Sequence, residues 1–178
     1  VSSDGAWIVS GGADKAAKGW QLVGTDDSEA GKVLFELAGH VDAVASAAIR
    51  QDDKLIASAD AAGVIRLWNR EDGSPAGVLG AHIGSVKSLA FHPSGETLLS
   101  GGEDGAIRLW KLPLTAPSVL AGHEVPVRRV AAVPDGSIVV SGDQAGSVRV
   151  FDTVKGMPLR VLEEQPGPVR ALNLSPDS

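Results

Sequence analysis

The sequence predicts an all-β fold, a tandem array of one small antiparallel β unit used about four times. Histidines stand at 40, 82 and 123, with Gln165 in the fourth place, at steps of 42, 41 and 42 residues. Aromatic rings at Trp20, Trp68, Trp110 and Phe151 follow the same beat, at steps of 48, 42 and 41. Between these markers run short apolar stretches bounded by Gly, Asp and Pro, in a chain with 22 glycines and only 4% aromatic residues. Such runs are strands joined by tight turns. A fixed period in the low forties is the spacing of four-stranded blades set radially in a propeller.

The reference copy is GAHIGSVKSLAFHPSGETLLSGGEDGAIRLW, from Gly80 to Trp110. Lettering the strands a to d from hub to rim, residues 1–41 supply strands b, c and d of a first blade. SSDG (2–5) matches the turn at 93–95, and WIVSGGADKAAKGW (7–20) matches TLLSGGEDGAIRLW (97–110). Ala17 and Gly19 replace Ile107 and Leu109, so this strand is expected to be poorly filled and its blade the weakest. Residues 42–82, 83–123 and 124–166 each give a full blade. Residues 167–178 then begin another, with a strand a carrying Val169, Leu172 and Leu174. The chain thus reads b-c-d, three complete units, and a. A lone strand a and an uncovered strand b are sheet edges, which proteins normally remove.

GTDDSEAG (24–31) is the only insertion: Trp20 to His40 spans 20 residues, against 14 for Trp68 to His82. A Ca²⁺ site from Asp26, Asp27 and Glu29 is the sharper reading, but the spacing lacks the central Gly and terminal bidentate Glu of an EF-hand loop. A tolerated surface loop is favoured, since doubling a loop's length costs only about 0.6 kcal/mol.

The 18.2 kDa chain has the size of one domain, and its net charge of −6 and pI near 5.1 disfavour nucleic acid or anionic lipid as partners. Without cysteine there is no disulfide framework, thiolate nucleophile or Cys-based zinc site. No run approaches the roughly 18 apolar residues of a membrane span. The start, VSSDGAWIVSGG, lacks an initiator Met and the basic opening of a secretory signal, so a processed or excised piece is expected. The compartment stays open.

LAGH (37–40), LGAH (79–82), LAGH (120–123) and the two IRLW runs (65–68 and 107–110) resemble the WD-repeat family over the whole chain. The Asp that often follows the Trp is missing: Asn69 and Lys111 stand there, and only Asp152 fits. The resemblance implies a β-propeller of WD-repeat type, four blades' worth of four-stranded antiparallel sheets per chain. It also implies a structural tetrad in which Asp orients His, His bonds Ser, and Ser bonds the Trp indole N–H.

That tetrad competes with a hydrolase reading of Ser100, His82 and Asp104, because Ser, His and Asp are what acyl transfer needs. Repetition decides. The set recurs as Ser58, His40 and Trp68; as Ser141, His123 and Phe151; and as Ser10, Asp14 and Trp20 in the first unit. A catalytic group is needed once, whereas a device that satisfies buried polar atoms is needed in every blade. By alignment Ala62 and Ala145 take the place of Asp104, with Asp60 and Asp143 two residues earlier, and Phe151 has no N–H. Only the set containing Trp110 is therefore expected to be complete, and Asp104→Ala to lower the melting temperature more than Asp60→Ala.

Other motifs read as structure. His92 belongs to an HPSG turn. GGADKAAKG (11–19) lacks P-loop spacing. Lys18, Arg66, Arg108 and Arg149 repeat at one strand-c position, where aliphatic stems lie on neighbouring blades; a cationic recognition stripe is the alternative. Arg128 and Arg129, the only paired arginines, open an inner strand, where binding an anion in the central channel is the alternative to a plain solvated pair. No catalytic residues, metal ligands or cofactors are expected.

The resemblance usually goes with rings of seven or eight blades. Two chains closing head to tail into an eight-bladed ring is the leading expectation: a homodimer in which each strand a (169–174) completes the other copy's first blade. The expected function is a non-enzymatic scaffold that binds a protein or peptide on its narrow face, where Val41, Asp42, Ile83, Ser85, Glu103, Glu124 and Pro126 stand. The alternatives are an excised or engineered fragment of a larger propeller with no ligand of its own, and an accessory propeller of a multidomain enzyme.

Overall fold

Short β-forming runs broken every six to ten residues by Gly, Asp and Pro leave the chain nothing but hairpins to build. The computed structural model describes residues 1–22, 30–80, 82–113, 118–133, 135–162 and 165–174, and among them it has fifteen strands and no helix. β1 (Trp7–Gly11), β2 (Ala16–Gln21) and β3 (Val33–Ala38) form a three-stranded antiparallel sheet. The second sheet is β4 (Val44–Ile49), β5 (Leu55–Asp60), β6 (Val64–Asn69) and β7 (Pro75–Gly80). The third is β8 (Val86–Phe91), β9 (Thr97–Gly102), β10 (Ile107–Lys111) and β11 (Ser118–Leu120). The fourth is β12 (Val127–Ala132), β13 (Ile138–Asp143), β14 (Val148–Asp152) and β15 (Met157–Val161). Each is a meander in chain order. The four sheets make this an all-β fold of the propeller type.

The sheets stack face to face, and their inner strands meet: β1 packs on β4, β4 on β8 and β8 on β12. Stacking explains why the second strand of a blade is buried almost throughout. All six residues of β5 are buried, and five of six in β9 and in β13. One core joins sheets one and two through Trp7, Leu37, Val44, Ile56 and Trp68, another joins sheets two and three around Leu67, Leu98 and Trp110, and a third joins sheets three and four around Leu99, Ile107 and Phe151. Every complete inner strand carries a bulge at one register, Val44/Ser46, Val86/Ser88 and Val127/Arg129. Beyond the bulge, Ser46 and Ser88 turn their Oγ to the next inner strand, accepting from Leu89 N at 3.0 Å and Val130 N at 3.4 Å.

Two details differ from the sequence expectation. Gly19 does not leave β2 underfilled: the Phe35 ring, directly opposite on β3, occupies the space, and a Cβ on Gly19 would lie 2.2 Å from it. An aromatic ring from the neighbouring strand fills what the glycine vacates. Residues 169–174, expected as a strand, belong to no ladder. Val169 is buried against Val140 and Val148, with Leu172 and Leu174 packed partly beside it, and Val169 N donates to Asp143 O at 2.9 Å. The segment lies on the fourth sheet where the next inner strand would lie, but no second strand of its own blade is beside it to pair with.

Candidate functional site

The polar residues singled out by the repeat converge inside the blades. His40 enters from the loop after β3, reaching Ser58 Oγ with Nε2 at 2.6 Å and Asp60 Oδ2 with Nδ1 at 2.9 Å. Trp68 Nε1 donates to Ser58 Oγ at 2.8 Å. In the third sheet His82 meets Ser100 at 2.8 Å and Asp104 at 2.7 Å, and Trp110 donates to Ser100 at 3.0 Å. In the fourth, His123 meets Ser141 and Asp143, both at 2.7 Å, while Phe151 supplies packing and no donor. The first sheet has the Trp20-to-Ser10 bond at 2.7 Å, and Asp14 is an exposed ion pair of Lys18. One proton order satisfies each full chain: indole N–H to Ser, Ser O–H to His Nε2, His Nδ1–H to carboxylate.

Asp60 and Asp143 therefore do the work assigned to the Asp104 position, correcting the expectation that only one set is complete. The geometry explains the substitution. Position 60, 102 or 143 opens the turn between the blade's second and third strands, and position 62, 104 or 145 lies two residues on. A carboxylate from either reaches His Nδ1. Where the aspartate is the later one, the earlier residue is Gly102, because a Cβ there would lie 2.1 Å from His82 Nδ1. Where it is the earlier one, Ala62 or Ala145 follows. Each complete turn carries one carboxylate in the pair of positions, and that alternation was the signal in the sequence that could have found it.

Ser58, Ser100 and Ser141 are fully buried, with Oγ engaged by the histidines. No substrate carbonyl can reach them. Burial pushes the His82 and His123 imidazoles below the ordinary histidine range, outweighing the pull of their aspartates, and Arg108 and Arg149 add to the depression. Burial pushes the Asp104 carboxyl up, but its bonds to His82 and to the N–H groups of Ala106 and Ile83 win and hold it low.

Two of the four strand-c cations are paired within the fold. Arg108 Nη1 donates to Asp104 Oδ2 at 2.9 Å, and Lys18 pairs with Asp14. Arg108 Nη1 also crowds His82 Nδ1 at 2.6 Å; since Nδ1–H is spent on Asp104, that approach is a close contact and not a bond. Arg66 and Arg149 each keep a buried Nε without a hydrogen-bond partner among the described residues. Lys15 and Lys18, the cations of 11–19, sit on a turn and a strand with Lys18 neutralised. His92 Nδ1 accepts from Ser94 N at 2.9 Å within its turn.

Of the residues expected on the narrow face, Val41 and Ile83 are 64% and 84% exposed, Asp42, Glu103 and Glu124 are exposed, and Pro126 is half-buried. Ser85 is a correction: it is buried, because Glu103 folds over it and accepts from Ser85 N at 3.1 Å. Arg128 Nη2 donates to Gln144 Oε1 at 2.8 Å. Asp26, Asp27 and Glu29 lie outside the described residues. Among the described residues no group of three or more histidines and carboxylates could hold a metal ion.

Sequence reasoning missed a stack on the opposite face. There Arg70 lies over Trp7 at 5.0 Å and Phe35 at 4.7 Å, closing the seam between sheets one and two. At the next seam Leu55, Gly77 and Leu112 hold the matching positions, and a groove of about 850 Å³ opens there, lined in part by Leu55, Leu67, Ala76 and Leu112.

A profile of the family described as "WD domain, G-beta repeat" matches residues 31–69, 73–111 and 115–152. Angio-associated migratory cell protein of Homo sapiens is 38% identical over 60 residues, 34% of this chain and 12% of that protein. Apoptotic protease-activating factor 1 of Rattus norvegicus is 40% identical over 73 residues, 41% of this chain and 5% of that protein. The chain thus spans a small fraction of the length of these curated relatives.

Proposed function

We propose, from the premise that this chain belongs to the WD domain, G-beta repeat family, that it is a non-enzymatic protein-binding scaffold whose copies assemble into a closed ring. The observation that carries the assembly is one leucine. Leu37, Leu79 and Leu120 hold equivalent outer-strand places and are 1%, 7% and 1% exposed, each capped by the next sheet. Their counterpart Leu162 is 42% exposed, and all of β15 beside it faces water. An apolar face of this kind favours a partner.

A second copy fits it. Its β1 has a free inner edge, and its Ser10 and Trp20 form a pair without a histidine. Laid beside that β1, segment 168–174 completes a four-stranded blade, and the new blade covers Leu162. Two chains joined this way close eight blades. The loops bearing Val41, Ile83 and Glu124 then line one face of the ring, where a peptide or protein docks.

A cysteine pair tests the assembly. The register Ala48↔Ala57, Ala90↔Leu99 and Ala131↔Val140 continues to Asn173 opposite Val9 of the second copy. The chain has no cysteine, so Val9→Cys with Asn173→Cys introduces the only pair. Cα atoms on paired strands are within disulfide range. Oxidation is expected to give a covalent dimer from the double variant or from a mixture of the two singles. Monomers throughout, or a bridge within one chain, would overturn the ring.

A further inference from the structure

We propose a second ligand site, formed within a single chain: Arg128, Arg129 and Arg170 bind an oxyanion, a phosphate or carboxylate group carried by a peptide partner. The third sheet supplies the contrast. There Lys87, next to the start of the inner strand, is paired with Glu103 across 3.6 Å. In the fourth sheet the same two places hold Arg128 and Gln144, so the cation keeps a hydrogen-bond acceptor and loses its counter-charge.

Arg129 stands where Ser46 and Ser88 stand. Those hydroxyls tie adjacent inner strands together, whereas a guanidinium only donates and cannot make that tie. Arg129 Nη1 donates instead to the backbone oxygen of Arg128 at 2.7 Å. Arg170, exposed on the segment beside them, brings a third cation. The three arginines, with Pro168 and Val169, line a concavity of about 300 Å³.

Among the described residues none of the three is in an ion pair, in a chain whose net charge is −6. The carboxylate that feels Arg128 is Glu103, whose oxygens are already taken by Ser85 N–H and Lys87. A forked, planar cation is suited to bidentate capture of a phosphate or carboxylate. Three converging on one hollow leave a site complementary to that group and to no cation.

The test is an NMR titration of arginine side-chain Nε–H signals in the whole chain, with inorganic phosphate in one arm and a blocked tri-glutamate peptide in the other. The Arg128, Arg129 and Arg170 signals are expected to shift saturably, more weakly as NaCl is raised, while Arg108 stays in place. The tighter arm identifies which oxyanion is preferred. Gln144→Glu, which restores the counter-charge of the third sheet, is expected to weaken binding about tenfold. Arg128→Gln with Arg170→Gln abolishes it, with the Arg108 signal reporting an intact fold. Shifts in neither arm, equal shifts at every arginine, or unchanged affinity in either variant would overturn the site.

Discussion

Replacing Asp60 by alanine removes an acceptor from the sealed His40 Nδ1 and from two backbone N–H groups of a half-buried turn. The Asp60 side chain is sealed from solvent and takes His40 Nδ1 at 2.9 Å, Ala62 N at 3.1 Å and Val64 N at 2.9 Å. Leaving the buried His40 donor unmet costs about 1–3 kcal/mol and the two half-buried N–H groups less each, so the substitution costs about 3 kcal/mol. At about 2–4 °C per kcal/mol for a domain of this size, the melting temperature falls by roughly 10 °C. Asp104 is different. Its side chain is 12% exposed, and water can enter to serve His82 and the turn. Asp104→Ala is expected to cost about half as much, the reverse of the order the alignment suggests. Thermal melts at one fixed protein concentration measure both, since any association would shift the midpoint. The transplant is the control: Asp60→Gly with Ala62→Asp rebuilds the Gly102/Asp104 arrangement and should recover most of the loss. A larger drop for Asp104→Ala, or no recovery in the transplant, would refute the reasoning.

Gly19→Leu, which copies Leu67 and Leu109, drives a side chain into the Phe35 ring and should cost about 1–3 kcal/mol by denaturant melts; adding Phe35→Ser, which copies Ser118, should restore most of it. If the double variant is no better than the single, Phe35 is not what fills the place of Gly19. Phe151→Trp supplies the indole N–H that Ser58 and Ser100 receive, and should raise stability by about 0.5–1.5 kcal/mol; a loss would mean the pocket cannot take the larger ring. Because folding depresses the His82 and His123 pKa values, the unfolded chain takes up protons first as pH drops below about 6.5. Stability is therefore full above that pH and declines toward the lowered folded values. Denaturant midpoints from pH 7.5 to 5 should fall, less steeply in His82→Gln with His123→Gln. An unchanged slope in that variant would place the dependence elsewhere.

The blade architecture was legible because the repeats keep their markers in register: LAGH or LGAH before each complete inner strand, IRLW on the third strand of two blades. Those markers fix where strands begin and which face is apolar. The carboxylate was harder. Column-by-column alignment places Ala62 under Asp104 and cannot see that two positions of one turn aim at the same imidazole nitrogen. Gly19 looked like a defect because its compensation, Phe35, lies on the next strand, and cross-strand pairing is not a local property. Ser85 looked like surface because its loop is surface, yet the Glu103 side chain closes over it. The Arg70 stack and the open groove at the next seam depend on side chains meeting across blades, which no single repeat reveals.

The mass of the assembly in solution bears on the ring most directly. Light scattering behind size exclusion should return twice the 18.2 kDa of one chain, and Leu162→Asp should shift the population toward single chains. A mass of one chain at every concentration, indifferent to Leu162→Asp, would contradict it.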